Sequence, residues 1–399
     1  DSVTLHNEQA ADISNLAATD LTQVTTAIGV SASVGAEMGA NFNGALAGSF
    51  IKNNDSAEII DLSVGKGGLI SNQAADTNNL SKHFDQVIQD NGLDPVGVTY
   101  SDNVSDNAAT TGENPVTIST DDKSSTLILT AAMDAVISTG KKSVGGAGAA
   151  AVSTIDNDKR AVIKDEKNRT ITAESLKNEA SSDAVLVNIA GGAAVSAGTF
   201  SGAGSASIQW TSNDVTASVE DADINVTGND GVQISAETKD VDVNISGQIS
   251  AGKNAAGLAL AYNHLNNNTE AYLKGTTLNF EENAEAPLSV TAKDSGTVVS
   301  VTAGVGGGST AAVQGAVAVN QGRNNVLAIV DEGSSGKRSS ISNAKSIDVS
   351  AKDTGVKVAV AGGLSGAGTA AVGGGVAYNE IGSWFADDDK TEEDEKHQQ

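Results

Sequence analysis

Large apolar residues recur at every second position over much of this chain. In the segment VAVAGGLSGAGTAAVGGGVAYN (residues 358–379), the valines of each run share one parity, and none of the 22 side chains is charged. A helix would place its large residues three and four positions apart, and it would tolerate the glycine clusters poorly. The pattern therefore predicts β-strands with one face turned towards a core.

The same pattern recurs at a long interval. Residues 288–320 and 347–379 align without a gap at an offset of 59, and 17 of their 33 positions are identical. Two earlier copies are looser, and successive copies open 63, 56 and 59 residues apart. The openings are Ile171, Ile234, Val290 and Val349. A long repeat with drifting spacing is typical of a solenoid, in which each unit buries its apolar face against its neighbours.

We interpret the repeats as an all-β fold, a right-handed parallel β-helix or β-solenoid. Each repeat, with its period of about 59 residues, would make about three rungs of about 20 residues, stacked about 4.8 Å apart. Aromatic residues are only 3% of the chain, which predicts a thin core. Five valines are expected to point into that core: Val349, Val358, Val360, Val372 and Val376. The small residues between them form an uncharged outer face, which is covered by the chain, free for lateral association, or simply tolerated.

Three copies close on an asparagine at the same register, at Asn263, Asn320 and Asn379. Stacked asparagines at a corner of a solenoid hydrogen-bond their neighbours and accept left-handed backbone angles. We therefore predict that these asparagines, like the valines, are structural repeat positions and not a ligand site.

The glycine and alanine pattern lapses within residues 52–124. There the segment NLSKHFDQVIQDNGL spaces its apolar residues like an amphipathic helix and closes on Asn-Gly, which predicts a small helical insertion over residues 81–90. We expect this helix to pack on the solenoid as a cap, and the alternative is an excursion that binds a partner. The candidate partner-binding residues are His83, Phe84 and Tyr100.

These patterns divide the chain into four segments. Residues 1–51 hold weaker copies and form N-terminal rungs, residues 52–124 are the insertion, and residues 125–385 are the repeats. Residues 386–399 are expected to be a disordered acidic tail, because they contain almost no apolar side chain. The chain opens without a methionine or an export signal, so we expect a fragment or a mature product.

Composition narrows the range of partners. Fifty acidic residues against 24 basic ones give a formal net charge of −26, and no run of lysine or arginine occurs, which disfavours nucleic acid. The absence of cysteine excludes disulfides and thiolate catalysis. The uncharged segments are long enough to cross a bilayer, but their small residues contribute too little for membrane insertion.

Residues that could carry catalysis or bind metal are scattered. The four histidines, His6, His83, His264 and His397, show no metal-binding spacing. The stretch GNDGVQISA (residues 228–236) approaches a calcium-binding nonapeptide but is single and imperfect. We expect no cofactor, while opportunistic calcium at Asp/Asn-rich turns stays open. The scarcity of aromatic sugar platforms disfavours a glycan-cleaving enzyme.

The stretches GGLSGAGTAAVGGGVAYN and GGGSTAAVQGAVAVN resemble the Gly/Ala/Val repeats of large secreted bacterial adhesins, the leukotoxin-type and filamentous-haemagglutinin-like proteins of type V secretion. The resemblance covers roughly residues 125–385. It implies a β-helical stalk at the bacterial surface or outside the cell, which attaches to host cells, matrix or other bacteria. No residue-specific adhesive motif carries over.

The expected function is therefore that of a non-enzymatic adhesin segment. Its expected partner is a host-cell, matrix or bacterial surface receptor, with lateral self-association as a further option. Two alternatives stay open: a β-helix polysaccharide lyase or glycosidase, and a self-assembling structural fibre subunit.

Overall fold

The computed structural model describes residues 13–19, 21–34, 39–60, 69–76, 97–110, 126–165, 170–282, 285–334 and 336–382. These residues form seventeen β-strands in one sheet, and no helix occurs among them. In chain order the strands are β1 (Ile13–Thr19), β2 (Leu21–Ser33), β3 (Ala40–Ile60), β4 (Leu69–Asp76), β5 (Gly97–Thr110), β6 (Thr126–Ser138), β7 (Val144–Lys164), β8 (Thr170–Ser196), β9 (Phe200–Glu220), β10 (Asp223–Lys274), β11 (Thr277–Phe280), β12 (Pro287–Asp294), β13 (Thr297–Asp331), β14 (Ser340–Ser342), β15 (Ser346–Asp353), β16 (Val356–Ala367) and β17 (Ala370–Ile381). The all-β prediction is confirmed, whereas the predicted helix at residues 81–90 lies outside the described residues.

In the repeat region, neighbouring strands are parallel and lie one full repeat apart in sequence. Ile224 pairs with Leu278, 54 positions later, and Val290 pairs with Val349, 59 positions later. One repeat therefore makes one coil of a solenoid-like stack, and the predicted division into three rungs of about 20 residues is wrong. Equivalent residues of successive repeats therefore lie side by side. Strand β10, which extends over 52 residues, provides such pairs over nearly a whole coil.

Each coil has three limbs, which are easiest to define on the coil that β10 forms. Limb A is residues 223–238, limb B is residues 241–252 and limb C is residues 254–274, and the same letters denote the residues that pair with them in other coils. Limbs A and B follow one another and together face limb C. Across the interior, Asn244 Nδ2 of limb B donates to the Tyr262 carbonyl oxygen of limb C at 2.9 Å. The coil is thus a flattened ring with its core between the limbs.

Between limb A and limb C lies an apolar core of large side chains. Ile171, Ile224, Ile234 and Val290 of limb A are at most 1% exposed and belong to one buried cluster with Val219 of limb C. Burying one side chain of this size contributes about 1.5–3 kcal/mol. This end of the coil therefore supplies much of the hydrophobic stabilisation of the stack.

Between limb B and limb C, the core holds large side chains where limb B begins, such as Ile128 and Leu186, and small residues farther along. Ala27, Ala132 and Ala190 belong to one buried cluster of alanines. The two limbs approach so closely that a Cβ atom at Gly363 would lie 2.5 Å from the Gly374 carbonyl oxygen. Glycine is needed there because no side chain fits between the two backbones. This end of the coil has the thin core that the scarcity of aromatic residues predicts.

The valines of the segment 358–379, on limbs B and C of the last coil, face outward, contrary to the prediction. Four of the five predicted core valines pair with residues of the preceding coil that are not buried: Val358, Val360, Val372 and Val376. In the preceding coil the alternate positions face inward, where Ala312, Gln314 and Ala318 are at most 2% exposed. Where limbs B and C approach most closely, as at Gly363 and Gly374, no large side chain fits between them, so the valines of these runs lie on the outer side.

Val349 is the exception among the five predicted core valines. It pairs with Val290, which is fully buried, so it belongs to the inward register of limb A. It is still 43% exposed, because no described strand stacks on the far side of the last coil, which β14 to β17 form.

Part of the predicted insertion, residues 52–124, is built into the sheet. Strand β3 continues past residue 51 to Ile60 and pairs with β7 along its whole length. Strand β4 pairs with β1 and β8, so it also belongs to the stack. Strand β5 pairs with the other edge of β3. The insertion therefore contributes an edge strand to limb C of the first coil.

Candidate functional site

Asn263, Asn320 and Asn379 form a hydrogen-bonded ladder along limb C of three successive coils. Asn263 Nδ2 donates to Asn320 Oδ1 at 3.0 Å, and Asn320 Nδ2 donates to Asn379 Oδ1 at 2.8 Å. Across the interior, Ser300 Oγ of limb B donates to Asn320 Oδ1 at 2.5 Å, and Asn320 Nδ2 donates to the Val358 carbonyl oxygen at 2.8 Å. The ladder lies within the strands and not at a corner, and it joins both coils and limbs.

A second asparagine ladder runs through four coils, and the repeat pattern does not predict it. Asn53 Nδ2 donates to Asn157 Oδ1 at 2.9 Å, Asn157 to Asn213 at 2.8 Å, and Asn213 to Asn267 at 2.8 Å. All four side chains are at most 1% exposed. Their spacing changes from 104 to 56 and 54 residues, which hides the ladder, although each asparagine lies among polar neighbours in a strand.

Two fully buried carboxyl groups, Asp240 and Asp242, lie beside the second ladder. Asn213 and Asn267 donate to Asp240 Oδ2 at 2.9 and 2.7 Å, and Thr211 Oγ1 donates to Asp242 Oδ2 at 2.9 Å. Burial raises the pKa of Asp242 to about 7. Burial, and after it the charge of Asp242, raises the pKa of Asp240 well above its ordinary value. Both groups therefore hold a proton more tightly than an exposed aspartate does.

The other interior charges are also committed to contacts within the stack. Lys159 and Asp55 form an ion pair in which both side chains are fully buried, and Thr19 Oγ1 donates to Asp55 Oδ1 at 2.5 Å. Within the described part of the chain, no group of three or more histidine, aspartate or glutamate side chains is placed to hold a metal ion. The buried carboxyl groups can exchange protons and bind neighbouring coils, but a substrate would have to enter the closed interior to reach them.

The structure places one of the three predicted partner-binding residues. Tyr100 lies in β5, where its backbone pairs with that of Phe50 at the edge of the first coil. His83 and Phe84 lie outside the described residues. The proposed role of the three residues in partner binding therefore stays a prediction.

A shallow apolar groove lies on the outer face of limb C, near the turn that joins limbs B and C. We call it the glycine furrow, and its volume is about 550 Å³. Its main lining residues are Phe42, Gly146, Gly202, Gly204, Leu258 and Val313. The phenylalanine, leucine and valine are 69%, 55% and 54% exposed. Exposed apolar surface of this kind marks contact sites on soluble proteins.

The sequence pattern predicts an outer face without charge, but it does not predict large side chains there, because the usual rule for alternating residues places the valines inside. The sequence does not show that the small residues occupy the inward-facing positions, because this depends on the width of the interior. The furrow is therefore a candidate site that the structure adds.

No protein-family profile, no curated protein and no solved structure matches this chain. The residues that the structure describes include no helix able to span a membrane. The resemblance to secreted adhesins therefore stays an inference from the sequence repeats.

Proposed function

We propose that this chain is a segment of a secreted or surface-displayed bacterial adhesin, folded as a right-handed parallel β-helix with a helical insertion at residues 81–90. It would attach to a receptor on host cells, matrix or other bacteria and would catalyse no reaction. The observation that carries this proposal is the in-register stacking of interior polar side chains. Because these side chains bind neighbouring coils, the outer faces remain for contacts with a partner.

The dimensions of the coils favour binding over a broad face. Each coil is about 56 residues long but adds only about 4.8 Å to the height of the stack. Limb C alone, with 21 residues in β9, spans about 70 Å at about 3.3 Å per residue. A receptor would therefore contact a wide surface formed by the strands, and the contact would be distributed over many side chains.

A self-assembling fibre subunit is the second candidate function. The exposed apolar residues around the glycine furrow favour it, because such a surface loses free energy when another protein covers it. The two functions are compatible, since a displayed adhesin can also associate laterally.

The adhesive function can be tested with the labelled full chain on cultured host cells, immobilised matrix proteins and bacterial cells. We expect saturable binding that the unlabelled chain displaces, while an unrelated protein of similar acidity serves as the control. Absence of saturable binding to all three would overturn the proposal. Release of reducing or unsaturated ends from polysaccharides, abolished by one Asp or Glu substitution, would instead establish the enzyme alternative.

A further inference from the structure

We propose that the outer face of limb C around the glycine furrow is a self-association interface, on which a second copy of this chain packs face to face. The inference concerns contacts between copies and does not depend on the adhesive function. Its support is the shape of the face, its lack of charge and its area.

The face carries both a hollow and the side chains that would fill it. One row of paired residues across five coils is Phe42, Gly146, Gly202, Ala256 and Val313. The adjacent row is Gly44, Gly148, Gly204, Leu258 and Gly315. Gly44, Gly148 and Gly204 form a bare block, because no side-chain atom lies within 4 Å of a Cβ at any of them, whereas the Phe42 ring covers Gly146 and the Phe200 ring contacts Gly202. Leu258 and Val313 flank this block on the side of the later coils. A two-fold rotation lets the large side chains of each copy enter the glycine block of the other, as a self-complementary interface requires.

The charge distribution favours this face for contact between copies. The chain has a formal net charge of −26, so most orientations of two copies bring carboxylates together. On the outward positions of limb C, charged residues begin only about ten residues beyond the turn. The first ones in the successive strands are Lys52, Asp156, Asp214, Glu270, Arg323 and Glu380. Two copies that meet around the furrow keep their acidic residues at the rim of the contact.

The uncharged area matches the requirement of a stable dimer. About ten residues along each strand, at about 3.3 Å per residue, extend over roughly 33 Å. Six limb C strands at about 4.8 Å spacing extend over roughly 29 Å, which gives about 950 Å² on each copy. A stable interface buries about 800 Å² on each partner.

The test compares two lysine variants of the full chain by sedimentation velocity over a range of concentrations. Leu258→Lys changes a 55% exposed residue of the furrow, and it should weaken the dimer at least tenfold, because each lysine would enter the apolar glycine block of the other copy without a partner for its charge. Ile249→Lys is the matched control, since Ile249 lies in the same strand, is 54% exposed and faces outward from limb B. It should leave the dimer unchanged.

The remaining outcomes are also decisive. A wild type that stays monomeric up to about 0.1 mM, weaker than interfaces of this area usually are, overturns the proposal, as does a dimer that dissociates in the Ile249 variant or in both variants. Circular dichroism and thermal midpoints equal to those of the wild type establish that each variant folds. If Leu258→Lys does not fold, Val313→Lys and its limb B control Val305→Lys replace the pair. Added salt should strengthen the dimer, because it screens the repulsion between the acidic copies.

Discussion

Replacing Asp242 with asparagine should stabilise the stack at pH 8 and leave its stability nearly unchanged at pH 4. The substitution preserves the shape of the side chain and an acceptor for Thr211 Oγ1, and it removes a fully buried ionisable group. The Oδ1 atom of Asp242 has no hydrogen-bond partner. The protonated acid and the amide therefore present equivalent neutral groups to the same surroundings at low pH.

The pKa of Asp242 determines the size and sign of the effect. Its value in the folded protein is raised from 3.8 to about 7. Because the folded state binds the proton more tightly, the stability that this group contributes is complete below pH 3.8 and is lost as the pH rises through 7. A rise of about three pKa units corresponds to about 4 kcal/mol. The wild type should lose free energy of unfolding on this order between pH 4 and pH 8, and the variant should not lose it.

Urea unfolding followed by circular dichroism at pH 4, 6 and 8 measures this difference. The control is Asp230→Asn, which changes an exposed aspartate of the same strand and should follow the wild type at every pH. The advantage of Asp242→Asn should grow with pH, and relief of the neighbouring Asp240 acts in the same direction. A constant difference between variant and wild type from pH 4 to pH 8 would refute the raised pKa.

Two further pairs of substitutions test the interior. Asn320→Ala should lower the free energy of unfolding by about 2–3 kcal/mol, because ladder hydrogen bonds are lost. Asn379→Ala, at the last described coil, should lower it by less than half as much. Equal urea midpoints for the two variants would contradict the ladder. Gly192→Val should cost more than about 3 kcal/mol, because its Cβ would meet the Gly204 carbonyl oxygen. Gly148→Val, with no atom within 4 Å of its Cβ, should be nearly neutral in thermal unfolding, and the reverse order would disprove the close approach of limbs B and C.

The type of element and the length of the repeat can be read directly from the amino-acid sequence. The period-two alternation indicates strands, and the offset of 59 between residues 288–320 and 347–379 is the offset at which β12 pairs with β15 and β13 with β16 and β17. It also identifies Asn263, Asn320 and Asn379 as one row, because stacked repeats place equivalent residues next to each other. These features are local or periodic, so a single chain displays them directly.

Which face of each strand is the inner one depends on contacts between the limbs. An alternation of large and small residues does not by itself show which of the two sets is buried. The usual rule assigns the large residues to the interior. That rule holds for Val290 of limb A, which is buried, and it fails for Val358 of limb B, which faces outward. The difference follows from the width of the interior, which depends on the approach of residues on opposite limbs, such as Gly363 and Gly374.

The candidate site shows the same division between sequence and tertiary structure. The absence of charge around residues 358–379 can be read from the sequence, but the glycine furrow needs strands that are far apart in the chain to stack in register. Gly146 and Gly202 become neighbours only because β7 pairs with β9, and Leu258 closes the furrow from a third coil. The second asparagine ladder is hidden for the same reason, since its spacing varies from 104 to 54 residues. The number of residues between two coils is free to vary as long as the backbone hydrogen bonds between them stay in register, and the sequence alone does not state where that register lies.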